Sequence, residues 1–289
     1  KYIFLLKKQQ RNNTMKELPE NQTLAKQIDV TLKGRIITEV FNATKYHKNT
    51  FYYGDPLTYG KLLTGREIKS SESFGMYVDI ILDKDTKISF GDGTNLKYGT
   101  ISDKMPDNYQ LLLTLDDNTY LAFTVGMFGV IAAYTGIYDE VYYKKSAESI
   151  SPLNNEFNDS YFEKLFIGLK PKLSVKMLLA AEQRIPGLGN GVLQDILFNA
   201  KINPKREMSS LTDTDKSALL QSIKTTLKSM VLQGGRDTET DLFGKHGNYK
   251  TILSRNTLNN PCPRCGNLII KDASNGGGAV YYCPTCQKI

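Results

Sequence analysis

The spacing of apolar and polar positions changes character along this chain. After Pro19, Leu24, Ile28 and Leu32 recur every fourth residue and Gly34 follows, which predicts an opening helix of about four turns that stops at the glycine. Short β-prone runs come next, at 36–41, 76–82, 111–115 and 120–125. Leu111, Leu112, Leu113 and Leu115, then the polar Asp116, Asp117 and Asn118, then Tyr120, Leu121, Ala122 and Phe123 have the form of two strands joined by a tight turn. Ser151, Pro152, Leu153, Asn154 and Asn155 read as a linker, and helical spacing runs from 157 to 234. The predicted class is α+β. A β-rich, sandwich-like N-terminal domain opened by a helix (15–150) is followed by a helical domain (151–255) and a small C-terminal module (256–289).

The C-terminal module carries the most specific chemistry. All four cysteines of the chain lie there as two CxxC pairs, Cys262 with Cys265 and Cys283 with Cys286. Two residues between thiolates let one tight knuckle reach a single ion, and the second pair closes a tetrahedral site. One structural Zn2+ is expected, with no open coordination position for catalysis. The run Asn275, Gly276, Gly277, Gly278 followed by Ala279, Val280, Tyr281 and Tyr282 predicts a hairpin that delivers the second knuckle. Two disulfides or a redox dithiol are the alternatives, disfavoured because the remaining 261 residues hold no cysteine and no βα unit precedes the pair.

The net charge of +7 suits a polyanionic partner. No apolar run approaches the roughly 20 residues that span a bilayer, and the expectation is a soluble, monomeric protein of a reducing cytoplasm, associated with the nucleoid. Residues 1–14 differ in composition from the rest of the chain. Met15 is a candidate start, and the preceding residues stand open as an added segment, upstream translation or a basic arm.

A second informative segment is Pro186, Gly187, Leu188, Gly189, Asn190, Gly191, leading into Val192, Leu193 and Ile196. Such a turn presents backbone N–H groups at a helix N-terminus, where a phosphate binds well. A plain connection between packed helices, with Asn190 as N-cap, is the alternative.

Taken with the four-cysteine ribbon and the opening Glu17, Leu18, Pro19, Glu20, this turn resembles the formamidopyrimidine-DNA glycosylase and endonuclease VIII family over residues 15–289. The resemblance implies two domains flanking a duplex-DNA cleft. It also implies a helix-two-turn-helix and a zinc finger that grip the backbone, and a damaged nucleotide flipped from the stack. It places Asn190, with N–H groups around Gly187 and Gly189, at the phosphate-binding position. Family enzymes attack the sugar C1′ with the amine of an N-terminal proline and use the next glutamate as acid and base. Lys16 stands where that proline is expected, and Glu17 and Glu20 are retained.

Other positions depart as well. Phe74, Gly75 and Met76 replace a basic Arg-Gly-Lys turn, Val125 to Gly129 replaces Pro-Arg-Arg-Phe-Gly, and Gly278 falls where an arginine is expected. Met127 retains the bulk of an apolar wedge. Three functions stand as expectations. The first is a binder of damaged or abasic duplex DNA with weakened or lost glycosylase and lyase chemistry. The second is an active glycosylase using Lys16 as nucleophile or Glu17 with water. The third is an RNA- or protein-binding module. Lys16 has a plainer alternative as a solvated surface lysine. His47, His246 and the aspartates of predicted turns, Asp83, Asp85, Asp92, Asp116 and Asp117, are read as surface and turn residues, and Phe51, Tyr52 and Tyr53 as half-buried strand positions.

Overall fold

Pro19 sits in the first turn of α1 (Leu18–Leu32), where a missing N–H costs nothing, and the Glu20 carboxylate accepts the Glu17 backbone N–H at 3.0 Å. The computed structural model that resolves this describes residues 16–289 except 92, 171, 182, 183 and 274–277, so Met15 and Asp92 lie outside the described residues. Leu24, Ile28 and Leu32 point one face of α1 into the core, and Gly34 ends the helix with φ +83°.

Nine strands and a short helix follow: β1 (Ile37–Asn42), β2 (Thr50–Tyr53), α2 (Tyr59–Leu63), β3 (Ile68–Phe74), β4 (Tyr77–Leu82), β5 (Thr86–Gly91), β6 (Thr94–Thr100), β7 (Leu111–Leu115), β8 (Thr119–Val125) and β9 (Gly129–Thr135). They form two sheets, ordered β1-β7-β8-β6 and β2-β9-β5-β4-β3. Ile80, Ile88 and Phe90 of the larger sheet meet Leu113, Leu121 and Phe123 of the smaller in one core. The β7–β8 hairpin has the predicted turn, with Leu111 opposite Phe123, Leu113 opposite Leu121, and Asn118 at φ +60°. The strands that periodicity missed include β2 and β3, which lie at the two edges of the larger sheet. An edge strand needs no continuous apolar face, and β3 carries Lys69, Ser70, Ser71, Glu72 and Ser73.

The helical half is less continuous than its spacing predicts. It contains α3 (Val141–Glu148), which lies before the linker, then α4 (Asp159–Lys164), a single π-type turn (Met177–Ala181), α5 (Val192–Asn199) and α6 (Asp213–Leu232). Pro186, Gly187 and Pro204 lie in the connections, where the helical ladder cannot continue. Val175, Leu178, Leu193, Ile196, Ile223 and Leu227 form its core. In the C-terminal module β10 (Ile270–Asp272) pairs antiparallel with β11 (Val280–Tyr282), as predicted, although the turn at 274–277 lies outside the described residues. Among the described residues, no helix is long and apolar enough to cross a membrane.

Two turns join the halves. Gly75, between β3 and β4, and Gly187 both have positive φ, and a Cβ on Gly187 would lie 2.3 Å from the Gly75 carbonyl oxygen. Backbone therefore packs on backbone, which only glycine permits. Gly187→Ala is expected to lower stability by at least about 1–2 kcal/mol through left-handed strain alone. Urea unfolding followed by circular dichroism reads this as a lower midpoint, and an unchanged midpoint would count against the contact.

Candidate active site

Glu17 reaches out of the first domain to the N-terminus of α5. Its Oε1 accepts the Gly191 N–H at 2.8 Å, and its Oε2 accepts those of Gly189 at 3.1 Å and Val192 at 2.8 Å. The Leu18 N–H donates to the Gly187 carbonyl at 2.8 Å, beside these bonds. The turn is thus an anion site, as its sequence predicts, but the anion is the protein's own carboxylate. A phosphate expected on the N–H groups around Gly189 would have to displace it. Asn190 is not the N-cap either. Gly191 takes that position, and the Asn190 amide donates to the Ala279 carbonyl of the finger hairpin at 2.6 Å.

Behind Glu17 lies a cluster of buried charge. Arg236, from the loop after α6, donates through Nε to Glu20 Oε1 at 3.0 Å and through Nη2 to Glu20 Oε2 at 2.8 Å. Its Nη1 lies 3.7 Å from Glu17 Oε1. Burial works against the Glu20 carboxylate, but the paired guanidinium outweighs it and lowers the pKa. For Glu17, burial prevails and raises the pKa against the pull of Arg236 and two backbone N–H groups. Glu239 is 7 % exposed, and its Oε2 has no hydrogen-bond partner among the described residues. Burial, reinforced by the nearby Glu20 and Glu17 charges, pushes its carboxyl up to about 8 against the pull of Arg236 and Lys16.

Lys16 completes the cluster. It is 5 % exposed, so the expectation of a solvated surface lysine is corrected. The fold draws it inward because it precedes α1 directly, and its Nζ donates to Asn95 Oδ1 at 2.7 Å on β6. Burial lowers its pKa from the ordinary lysine value, opposed by the charges of Glu239, Glu20 and Asp241. A buried amine with a lowered pKa has the character of a nucleophile.

The four cysteine sulfurs lie within 4.8 Å of one another, with Cys262 and Cys286 at 3.8 Å and Cys265 and Cys283 at 3.5 Å. A tetrahedral ion with Zn–S bonds of ~2.3 Å requires sulfurs ~3.8 Å apart, and the cysteines are unbridged. Backbone N–H groups of Arg264 and Cys286 point at Cys262 and Cys283, as thiolate ligands require. These residues fit one structural zinc ion. Arg264 docks the first knuckle, its guanidinium 4.3 Å from the Phe198 ring centre and bonded to the Phe198 carbonyl at 3.0 Å.

A cleft of 680 Å³ opens between the turn, the loop after α6 and the finger hairpin, and Asn190, Gly191, Arg236, Glu239, His246 and Tyr281 are among its lining residues. Met127 is 40 % exposed on the β8–β9 loop and does not line it. At the finger hairpin, Lys176 Nζ donates to the Gly278 carbonyl at 2.6 Å, so a buried lysine reaches the position where an arginine was expected. Periodicity missed Arg236, Glu239 and Lys176. The signal for the first two was a charged run beginning immediately after the Gly234 and Gly235 helix stop.

The H2TH domain of formamidopyrimidine-DNA glycosylase matches residues 149–241, and the zinc finger found in FPG and IleRS matches residues 259–289. The formamidopyrimidine-DNA glycosylase of Neisseria meningitidis serogroup A is 28 % identical over 95 % of this chain and 100 % of its own length. That of Streptococcus thermophilus strain CNRZ 1066 is 27 % identical with the same coverage. This chain is similar to the formamidopyrimidine-DNA glycosylases over nearly its whole length and carries their H2TH domain and zinc finger. Its fold is that of the Lactococcus lactis Fpg solved with abasic-site DNA, with a TM-score of 0.80 at 23 % identity over 94 % of this chain and 100 % of that one. MutM from Thermus thermophilus gives 0.77 at 22 % identity over 94 % and 98 %.

The opening segment thus brings two buried glutamates, Glu17 and Glu20, and the buried Lys16 directly before them to the start of α1. Arg236 holds Glu17 and Glu20 together, so Arg236→Met should destabilise the protein by about 3–5 kcal/mol by leaving buried carboxylates unpaired. Their folded pKa values then rise above the unfolded ones. Stability is retained below the ordinary carboxylate range and lost as pH rises. The deficit in urea melts is therefore expected to be larger at about pH 8 than at about pH 5, and a pH-independent deficit would contradict the charge cluster. Cys283→Ser should lose zinc and also lower the unfolding midpoint of the helical half, because Val280 of the finger is part of that core. Metal content and far-ultraviolet circular dichroism read both effects.

Proposed function

We propose that this protein binds duplex DNA at damaged or abasic sites in base-excision repair, with the proline-type Schiff-base chemistry weak or absent. The observation that carries the reading is Lys16 at the nucleophile position, buried and bonded to Asn95. The net charge of +7 supports a polyanionic partner. So does the likeness to Lactococcus lactis Fpg structures solved with abasic-site and N7-benzyl-Fapy-dG DNA. In this reading DNA approaches the cleft at Asn190 with the Gly187–Gly189 turn behind it, and exposed Met127 acts as the wedge.

A second reading has a specific observation in its favour. The buried, pKa-lowered Lys16 amine replaces proline as the nucleophile and supplies lyase chemistry. Direct attack by a water held on Glu17 has less support, because three N–H groups and Arg236 engage the Glu17 oxygens.

The test is incubation of the protein with an abasic-site duplex and borohydride, alongside binding titrations. Binding should fall by orders of magnitude between about 50 and 200 mM salt, and structured RNA should compete poorly. The proposed reading expects little or no covalent adduct. An efficient adduct lost in Lys16→Ala would establish the second reading. Binding that is insensitive to salt, or RNA preferred over duplex, would overturn both.

A further inference from the structure

We propose that the loop between β1 and β2 is a second DNA-contact surface, outside the cleft. Lys45 and Lys48 hold duplex phosphates beside the step that Met127 opens, and the Tyr46 and Phe51 rings stack on the bases exposed there. This rests on the reading in which the protein binds duplex DNA with Met127 as the wedge.

The chain carries no carboxylate between Glu39 and Asp55, and it carries Lys45, His47 and Lys48 there. Both lysines are exposed, and neither forms an ion pair among the described residues. Asp107 touches the loop only through its carbonyl, which accepts from the Thr44 hydroxyl at 3.1 Å, and its carboxylate lies 3.4 Å from Lys104. The loop therefore presents positive charge with little local neutralisation, the complement of a phosphate backbone. Tyr46 is 58 % exposed and Phe51 61 %. Tyr52 packs against the core, so strand alternation turns Phe51 outward. Large rings left in water beside lysines suit nucleobases, each of which has a π-face.

The loop is held in shape from beneath. Gln110 is buried, and its Oε1 accepts the His47 N–H at 3.0 Å while its Nε2 donates to the Lys45 carbonyl at 3.0 Å. The Tyr52 hydroxyl donates to the Gln110 carbonyl at 2.9 Å, and the Thr50 N–H closes a turn on the His47 carbonyl at 2.9 Å. A loop fixed in advance loses little entropy when it binds.

The same loop is bonded to the wedge. The Asn49 side-chain amide donates to the Met127 carbonyl at 2.8 Å, and the Gly129 N–H donates to the Asn49 carbonyl at 3.1 Å. Behind Met127, a Cβ on Gly93 would collide with the Phe128 carbonyl oxygen, so the turn between β5 and β6 packs backbone to backbone on the wedge loop. Asn95, two residues further on, receives the Lys16 amine. The β1–β2 loop, the wedge and Lys16 therefore lie in series along the sandwich. A wedge that unstacks a step leaves bases without neighbours, and the rings of the adjoining loop give them new ones.

The test measures binding to a matched duplex, and to the same duplex with one abasic site, across salt. It uses wild type, the double variant Lys45→Ala with Lys48→Ala, and the double variant Tyr46→Ala with Phe51→Ala. Circular dichroism and zinc content verify that each is folded. The lysine variant should weaken both duplexes and flatten the slope of log affinity against log salt by about 1.8, the value for two phosphate contacts. The aromatic variant should keep the slope and bind the abasic duplex at least about tenfold more weakly, the scale of a stacked base, with a smaller loss on the matched duplex. Wild type that binds neither duplex overturns the DNA reading and this inference with it. Wild type that binds with a steep salt dependence retained in the lysine variant overturns the phosphate contacts and leaves the DNA reading in place. An aromatic variant with wild-type affinity for the abasic duplex overturns the stacking in the same way.

Discussion

The bond set between the Glu17 carboxylate and the N-terminus of α5 is the contact on which the rest of the site depends. Three N–H donors that a helix leaves without intrahelical partners converge on one side chain from the other half of the protein. Fixing Glu17 sets the start and register of α1. Lys16 is thereby turned toward Asn95 on the small sheet, and Glu20 toward Arg236. The glycines of the turn answer to the same constraint. A Cβ on Gly189 would lie 2.6 Å from the Glu17 carboxyl carbon, and one on Gly191 would collide with the Arg236 guanidinium.

Closing the helix this way concentrates charge where water is scarce. Glu17, Glu20 and Glu239 offer three carboxylates against the two cations Lys16 and Arg236, so full ionisation leaves a buried excess of one negative charge. Such an excess is expensive in a medium of low dielectric. The cluster relieves it at its least hydrogen-bonded member, Glu239, whose carboxyl is held up to about 8. The bidentate Arg236–Glu20 pair is the opposite case, with geometry good enough to keep both partners ionised. One cluster thus contains a bidentate ion pair and a buried carboxyl of raised pKa, set apart by the guanidinium bonded to Glu20 and the Glu239 oxygen without a partner among the described residues.

The zinc finger is a wall of the same cleft as well as an attached module. Asn190 and Lys176 donate to the carbonyls of Ala279 and Gly278, and Gln194 accepts the Tyr281 N–H. Between the finger's second knuckle and the segment after α5, the Asn203 amide donates to the Gln287 carbonyl and the Gln287 amide to the Ile202 carbonyl. Holding four thiolates on one ion therefore also positions the hairpin that faces the α5 turn.

The sequence by itself determined the elements whose signals are local. The opening helix followed from leucine and isoleucine at four-residue spacing, the β7–β8 hairpin from two apolar runs around Asp116, Asp117 and Asn118, and the metal site from paired cysteines. Periodicity failed for edge strands such as β3, which need no apolar stripe, and for the broken helices between 157 and 234. It recognised that the Gly187–Gly191 turn presents N–H groups to an anion. Only the tertiary structure decided that the anion is Glu17, that Lys16 is buried and that Arg236 and Glu239 join them. Those partners lie roughly 170 to 220 residues apart in the chain. Burial and charge pairing at such separation depend on how two domains meet, and no local pattern of residues encodes that.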